Sequence, residues 1–136
     1  MTAPPPPSGE TRTGATAMRD CVFCEIVHED FPEGLITEWE DAIALHPLNP
    51  VVEGHVLIIP RVHVEDFASD WHVTSITAGR ACEFVSGQRE PMDFNLITSK
   101  GSNATQTVFH LHMHLVPRRE GDGLALPWTG QDGGDR

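Results

Sequence analysis

The chain has 136 residues, of which 9 are basic and 20 acidic, so its formal net charge at pH 7 is −11. A length of this order fits one domain. The acidity excludes a protein that grips long nucleic acid or an anionic membrane through a broad positive surface, because such binding needs clustered Lys and Arg. Eight histidines stand against a single lysine, which is the most unusual feature of the composition.

Both ends of the chain differ in composition from its middle. Residues 1–17 are rich in Pro, Gly, Ser and Thr and have no apolar periodicity, so we expect a disordered tail there. Residues 129–136 are predicted to form a second flexible tail, which leaves 18–128 as the folded domain. No run approaches the ~18 apolar residues of a membrane span, and the N-terminus lacks the features of a signal peptide. We therefore expect a cytoplasmic protein.

The apolar pattern between the tails predicts two helices and five strands. Apolar spacing favours a short helix within 21–29 that ends before Pro32, and a longer helix capped by Ser69 or Asp70 and ending near Ser86. Short β-branched or alternating runs predict strands at 35–38, 42–45, 56–59, 94–98 and 108–116. Their order predicts an α+β fold with a mainly antiparallel sheet.

The last of these strands alternates apolar residues with histidines. Side chains of a strand point alternately to its two faces, so Leu111 and Met113 should lie on one face, and His110, His112 and His114 on the other. Neighbouring histidines are then ~6.6 Å apart along the strand, which lets two of them, but not all three, converge on one metal ion. A solvent-facing polar strand and a metal-sequestering tract are the alternatives, and strict alternation with core residues argues against both.

This segment, His-Leu-His-Met-His-Leu-Val at 110–116, resembles the signature of the histidine-triad (HIT) family. The resemblance extends through the 50–63 segment with its Gly-His55 pair and back to Cys21 and Cys24, and so covers nearly the whole folded unit. It implies a HIT-like fold that pairs into a homodimer. It also implies a nucleotide hydrolase or nucleotidyl transferase that acts at an α-phosphate.

The resemblance also implies the roles of the site residues. His112 is the nucleophile that forms a covalent nucleotidyl-histidine, His114 contacts the phosphate or protonates the leaving group, and His55 supports them. A neutral imidazole attacks through one bare nitrogen, so the other nitrogen of His112 should be held as N–H by an acceptor such as a backbone carbonyl. The expected substrate-binding residues are Gln106, Thr107, Ser99 and Asn49.

Two departures from the family pattern leave the substrate open. Pro47 stands where many relatives carry an acid that binds the ribose hydroxyls, so that contact is either missing or supplied by another group such as Asn49. Ser99 stands where one branch carries Asn. The substrate, expected to be an adenine nucleotide, can therefore be a phosphoramidate or a dinucleoside polyphosphate. Lys100, Arg118 and Arg119 flank the histidine segment and could draw anions toward it.

The cysteine pair Cys21-x2-Cys24 supplies two ligands of a tetrahedral zinc site, since such spacing in a reducing compartment indicates metal or redox chemistry before a structural disulfide. Many bacterial relatives complete such a site with two histidines, and the residues at those positions here are His63 and His110. The resemblance therefore implies zinc as a structural cofactor. A reduced pair without metal is the alternative. The third cysteine, Cys82, is expected to be buried in the longer helix.

Two other functions remain compatible with these residues. One is a nucleotide-binding module with little catalysis. The other is a hydrolase in which a metal ion activates water. His28, His46 and His72 match no motif and are expected on the surface.

Overall fold

The computed structural model describes residues 21–129, so the predicted tail at 1–17 and all of the second tail except Thr129 lie outside the described residues. Within this range the order of elements is α1 (Val22–Val27), β1 (Leu35–Glu38), β2 (Ala42–Leu45), β3 (Val56–Pro60), α2 (Trp71–Ser86), β4 (Asp93–Ile97), a 3-10 turn (Ser102–Ala104) and β5 (Met113–Arg118). The predicted α+β class, five strands and two helices are confirmed. In the part of the chain that is described, no helix is both long enough and apolar enough to cross a bilayer.

The five strands form one antiparallel sheet in the order β1-β2-β3-β5-β4. Strands β2 and β3, at the centre of the sheet, are continuously apolar and buried along their whole length. Both faces of the sheet are therefore covered there. On the α1 face, Phe23 and Val27 pack against Ile43, Leu57 and Ile59. This arrangement brings the N-terminal helix beside the centre of the sheet.

The opposite face carries the second core cluster, in which Ala81 of α2 packs with Ile58, Leu111, Met113 and Leu115. The apolar positions of the histidine segment therefore share one face, as predicted; this face is covered by α2, and the intervening histidines lie toward α1.

Helix α2 begins where the capping prediction put it. Asp70 accepts hydrogen bonds from the backbone N–H groups of His72 and Val73, which lack partners within the helix. The helix buries the small residues Thr77 and Ala81 most deeply. Cys82 is exposed, so the prediction that it is buried was wrong; it follows Ala81 by one position and therefore points about 100° away from the buried stripe.

The strand predicted at 108–116 has different limits in the structure, where β5 spans Met113–Arg118. Regular pairing starts only at Met113, because β3 pairs with β5 no further than Ile58 opposite Met113, and β4 no further than Ile97 opposite His114. At the other end the strand continues through Pro117 to Arg118, which pairs with Asp93. The first two histidines thus lie in a segment without regular strand pairing that precedes β5.

Candidate active site and metal-ligand cluster

His110 is completely buried, and its two ring nitrogens have different partners. Nε2 lies 2.9 Å from the carbonyl oxygen of Pro60, which only accepts hydrogen bonds, so Nε2 carries the proton and donates it. Nδ1 is then bare. It lies 3.4 Å from Sγ of Cys21, 3.5 Å from Sγ of Cys24 and 3.2 Å from Nδ1 of His63.

These four residues form a cluster whose donor atoms all lie within 4.8 Å of one another. Cys24 Sγ is also 3.2 Å from Nδ1 of His63. Ligand atoms of a tetrahedral zinc site are about 3.3–3.8 Å apart, given Zn–S near 2.3 Å and Zn–N near 2.05 Å. The measured separations agree with that geometry within a few tenths of an ångström.

The electrostatics of the cluster also fit a cation. Burial, with the second thiol nearby, raises the pKa of the Cys24 thiol to about 12, and burial lowers the pKa of the His110 imidazole to about 4. The bare Nδ1 of His110 faces Nδ1 of His63 at 3.2 Å, and either an Nδ1–H of His63 or a metal ion between the two nitrogens would satisfy it. A bound metal ion would also stabilise the thiolate forms of the two cysteines.

His112 lies beside this cluster and is held through the backbone of His110. Its Nδ1 is 2.8 Å from the carbonyl oxygen of His110, so Nδ1 carries the proton and Nε2 is bare. The ring of Phe23 packs edge-on against it, with centroids 5.0 Å apart, and Thr98 Oγ1 donates to the His112 carbonyl oxygen at 2.7 Å. Burial lowers the pKa of His112, which keeps the imidazole neutral.

His55 and His114 form a hydrogen-bonded pair on the same face of the histidine segment. The backbone N–H of Val51 donates to Nδ1 of His55 at 3.1 Å, which requires Nε2 of His55 to carry its proton. That Nε2 lies 3.0 Å from Nδ1 of His114, so it donates there and leaves His114 with its own proton on Nε2. Burial lowers the pKa of His55, and it lowers the pKa of His114 to about 4.

Local backbone geometry explains the position of His55. Gly54 has φ +92°, a conformation that side chains rarely adopt, and a Cβ there would lie 3.1 Å from the ring of Pro117. Glycine therefore lets the loop turn tightly against β5 just before β3 begins. The side chain of His55 is consequently buried beside the histidine segment.

Two cavities meet at His55, His112 and His114. The larger, of about 600 Å³, lies between α1 and the β2–β3 loop and includes Phe23 and Asn49 in its lining. The smaller, of about 280 Å³, lies on the β4 side, and its apolar wall consists of Val51, Ile97, Val116, Leu124, Ala125 and Leu126.

The predicted substrate-binding residues are divided between these cavities. Asn49 and Thr107 line the larger one, and Ser99 and Gln106 line the smaller. The amide nitrogen of Gln106 donates to the carbonyl oxygens of Glu65 and Val108, and its oxygen accepts from the N–H of Gly101. Both amide protons are therefore engaged in holding the loop, and reaching a phosphate would require breaking one of these bonds.

The sequence suggested that Arg118 could draw anions toward the site, but in the structure its charge is paired within the protein. Its guanidinium donates twice to Asp122, once to Asn95 and once to the carbonyl oxygen of Leu124. The salt bridge with Asp122 raises the pKa of Arg118 further and lowers that of Asp122. The sequence analysis missed this network, although the i,i+4 spacing of the two charges was visible.

Two further features were also missed. Phe23 contacts the rings of both His110 and His112, although its place between Cys21 and Cys24 in the sequence indicated only an apolar residue. The Leu124–Leu126 segment lines the smaller cavity, and nothing in its sequence indicated a site. The three histidines without a motif, His28, His46 and His72, are exposed as predicted, and His46 lies at the edge of the larger cavity.

Comparison with known proteins agrees with this geometry. A family model described as HIT domain matches residues 28–121. The protein named hit from Bacillus subtilis is 32% identical over 117 residues, which cover 80% of this chain and 79% of that protein. Adenosine 5'-monophosphoramidase HNT1 from Saccharomyces cerevisiae is 30% identical over 132 residues, covering 90% of this chain and 79% of the relative.

Solved structures give the same result for the fold. A Zn-bound histidine triad family protein from Mycobacterium smegmatis superposes with a TM-score of 0.67 at 34% identity, covering 79% of this chain and 81% of that one. A HIT family member from Bacillus subtilis gives a TM-score of 0.70 at 29% identity, with 86% of each chain covered. With the family model matching well over half of its residues, this chain belongs to the HIT domain family.

Proposed function

We propose that this protein is a nucleotide hydrolase or nucleotidyl transferase that acts at the α-phosphate of nucleoside phosphoramidates or dinucleoside polyphosphates. The observation that carries the proposal is the bare Nε2 of His112, fixed by the hydrogen bond from its Nδ1 to the His110 carbonyl oxygen at 2.8 Å. The relative named adenosine 5'-monophosphoramidase supports an adenine nucleotide as the substrate.

In the proposed reaction His112 attacks phosphorus and splits one displacement into two. A bond forms between Nε2 and the α-phosphorus while the bond to the leaving group breaks, which gives a nucleotidyl-histidine. Water then attacks this intermediate in a hydrolase, and another acceptor does so in a transferase. The lowered pKa of His112 favours the first step, since only the neutral imidazole has a lone pair to donate.

His114 supplies a hydrogen-bond donor in this mechanism. Its Nε2–H is held outward by the donation from His55 to its other nitrogen, and it can stabilise charge that develops on a phosphate oxygen or on the leaving atom. The pKa of about 4 keeps His114 neutral near pH 7, so His114 donates a hydrogen bond but keeps its proton, and the leaving group takes up its proton from solvent. His55 is the positioning residue of this pair.

The nucleoside is proposed to occupy the larger cavity. Its apolar part, with Phe23, Ile26 and Leu57, suits a base, and Asn49 at its rim can bind the ribose hydroxyls in place of the acid that Pro47 replaces. Thr107 lies close enough to line the same cavity. Ser99 and Gln106 are proposed to act on the other side of the phosphate, Gln106 by holding its loop.

We propose zinc as the ion held by Cys21, Cys24, His63 and His110. Four nitrogen and sulfur donors, with four of their separations near tetrahedral values, would form a closed site, which is typical of structural zinc. The ion would tie α1 to the loop after β3 and to the histidine segment. Its role would be to stabilise the fold, and His110 would then take no part in the chemistry.

A homodimer is part of the same proposal. Strand β4 is at one edge of the sheet, and its residues Leu96 and Ile97 are 49% and 37% exposed. An exposed apolar edge strand is a site at which two copies of a sheet can pair. Sedimentation equilibrium of the purified protein tests this point directly.

The decisive experiment compares His112→Ala with His72→Ala, which changes an exposed histidine far from the triad segment in sequence. Both variants should keep the native circular dichroism spectrum. We expect His112→Ala to lose AMP release from adenosine 5′-phosphoramidate by at least about 10³-fold, because it removes the attacking atom. Unchanged turnover in His112→Ala would end the proposal.

Two controls separate the competing functions. Quenched reactions analysed by mass spectrometry should contain a nucleotidyl adduct on His112, whereas a binding module would give tight binding with neither adduct nor turnover. If a metal ion activated the water, chelation would stop turnover at temperatures where the protein remains folded. A structural ion predicts instead that activity and thermal stability fall together.

A further inference from the structure

The loop between β4 and β5 contains an unusual backbone conformation. Thr105 has φ +71° and ψ +22°, which is the left-handed region, and every other positive φ among residues 21–129 belongs to a glycine. A side chain branched at Cβ is rare in that region, because its Cβ then crowds the following carbonyl oxygen. Thr105 therefore holds a strained conformation that glycine or asparagine would adopt at lower cost.

The strain persists because hydrogen bonds fix the loop around Thr105. The N–H of Thr105 donates to the carbonyl oxygen of Ser102 at 2.9 Å, and the N–H of Gln106 donates to that of Gly101 at 3.1 Å. The buried side-chain amide of Gln106 adds three hydrogen bonds to backbone groups. A loop held at so many points can keep a residue in a strained conformation.

Neither core packing nor long-range hydrogen bonding explains why a threonine stands at this position. Thr105 is exposed and belongs to neither core cluster. Its hydroxyl donates to the carbonyl oxygen of the adjacent Ala104, so this bond joins no other part of the fold. What the residue does contribute to is the smaller cavity, which it lines together with Ser99 and His114.

Resting on the proposed function, which puts the nucleoside in the larger cavity, we infer that Thr105 is a specificity-determining residue that limits the size of the leaving group in the smaller cavity. That cavity has a volume of about 280 Å³, near the lower end of ligand pockets. Because its hydroxyl proton is donated to Ala104, Thr105 presents bulk to the leaving group rather than a hydrogen-bond donor. Since the loop is held by hydrogen bonds, this bulk does not move aside when a large group enters.

The test separates the bulk of Thr105 from its strain with three variants of the full-length protein. Thr105→Gly removes both, and Thr105→Ala removes the bulk but keeps most of the strain. Thr105→Asn keeps nearly the same volume in a residue that tolerates the left-handed region. Each variant is assayed with two phosphoramidates of AMP, the unsubstituted one and the naphthylmethyl amide, whose leaving groups differ chiefly in size.

The size limit is measured by the ratio of kcat/KM for the naphthylmethyl amide to that for the unsubstituted phosphoramidate. We expect this ratio to rise about 10-fold in Thr105→Gly and Thr105→Ala and to stay within about twofold in Thr105→Asn, because one small group in a pocket changes discrimination by this order. Unchanged ratios in the glycine and alanine variants would overturn the inference. A ratio in Thr105→Asn as high as that in Thr105→Gly would also overturn it.

Thr74→Ala is the matched control. The hydroxyl of Thr74, like that of Thr105, donates to a backbone carbonyl oxygen, here that of Phe67, and Thr74 lines neither cavity. The ratio in Thr74→Ala should equal that of the wild type. A rise as large as that in Thr105→Ala would contradict a role specific to the smaller cavity.

Melting temperatures test the strain independently of the assay. Thr105→Gly and Thr105→Asn should melt about 4 °C above the wild type, and Thr105→Ala should not. Raised melting temperatures with unchanged ratios would give Thr105 a merely structural effect and overturn the inference. A Thr105→Gly protein that melts below the wild type would show that the side chain stabilises the loop, and would count against the inference as well.

Failure of the proposed function would look different. If neither substrate yields AMP, or if His112→Ala still yields it, the covalent mechanism is wrong. Calorimetric binding of both phosphoramidates to His112→Ala and to the double variant with Thr105→Ala then measures the same preference without turnover. The inference requires the double variant to favour the naphthylmethyl amide about 10-fold more than His112→Ala does. An equal preference in the two proteins would overturn the inference on its own.

Discussion

Removal of the proposed metal ion should destabilise the protein by an amount that follows from the spacing of its ligands. Cys24 and His63 are 39 residues apart, and His63 and His110 are 47 residues apart. An ion that joins these three segments closes two loops in the unfolded chain. The chain-entropy relation for cross-links gives about 4 kcal/mol for each loop of this length.

The two loops together amount to about 8 kcal/mol, which is comparable to the whole stability of a typical domain. At about 4 °C for each kcal/mol, chelation should lower the melting temperature by 20 °C or more, to the point of unfolding at 37 °C. His63→Ala leaves Cys24 and His110 joined, opens one loop, and should cost about half as much. His72→Ala, at an exposed position outside the cluster, should have the melting temperature of the wild type.

Differential scanning calorimetry with and without a chelator measures these shifts, and elemental analysis of the purified protein counts the metal. The reasoning requires about one zinc per chain, a large shift on chelation, and recovery when zinc is returned. A protein that purifies without zinc, gains no thermal stability when zinc is added, and melts at the same temperature after chelation would refute the structural role of the cluster.

Three other predictions concern the site and the fold. Because burial lowers the pKa of His112 below its usual value of 6.5 and only its neutral form attacks, the midpoint of the decline in kcat/KM at acid pH should lie below 6.5; a midpoint at or above 6.5 would contradict this prediction. His55→Ala removes the donor to His114 and should lower kcat about 3–10-fold with little effect on melting, the loss expected for one hydrogen bond; an unchanged kcat would refute the role of His55 as a positioning residue. Asp70→Ala removes the cap of α2 and should lower the melting temperature by about 4–8 °C with unchanged kcat/KM, so an altered kcat/KM would show that the cap does more than stabilise the helix.

The strands that could be predicted from sequence were those defined by their own residues. The runs at Leu35–Glu38 and Ala42–Leu45 were predicted with the limits that the structure has, because a short apolar segment between turn residues has few alternatives. The limits of β5 could not be obtained in this way. Its ends depend on where Ile58 and Asp93 stop pairing with it, and those residues are distant in sequence.

Residue spacing predicted only two of the four residues in the metal-ligand cluster. The Cys21-x2-Cys24 pair indicates two ligands, but the positions of His63 and His110 were supplied by the family resemblance, since no spacing rule connects residues that far apart. The cluster therefore bears out the choice of four residues as neighbours in space. The ion itself remains a proposal that elemental analysis tests.

The proton positions of the histidines could not be predicted either, because each depends on one backbone atom elsewhere in the fold. The carbonyl oxygen of Pro60 determines which nitrogen of His110 is bare, and the N–H of Val51 does so for His55. The pairing of Arg118 could not be predicted for the same reason. Its charge is evident in the sequence, but its pairing with Asp122 depends on the turn that follows β5.

The alternating pattern at His110, His112 and His114 gives the three residues different environments although their chemistry is the same. His110 lies beyond the last paired residue of β5, so its ring can turn toward Pro60 and the cysteines, while its carbonyl oxygen stays free to accept from His112. Phe23 packs against both rings from α1, the helix that contains Cys24 and has Cys21 as its N-cap. The metal-ligand cluster and His112, the proposed nucleophile, are therefore held by the same residue and the same helix. Loosening α1 should consequently disturb the orientation of His112, even though no ligand of the cluster takes part in the proposed reaction.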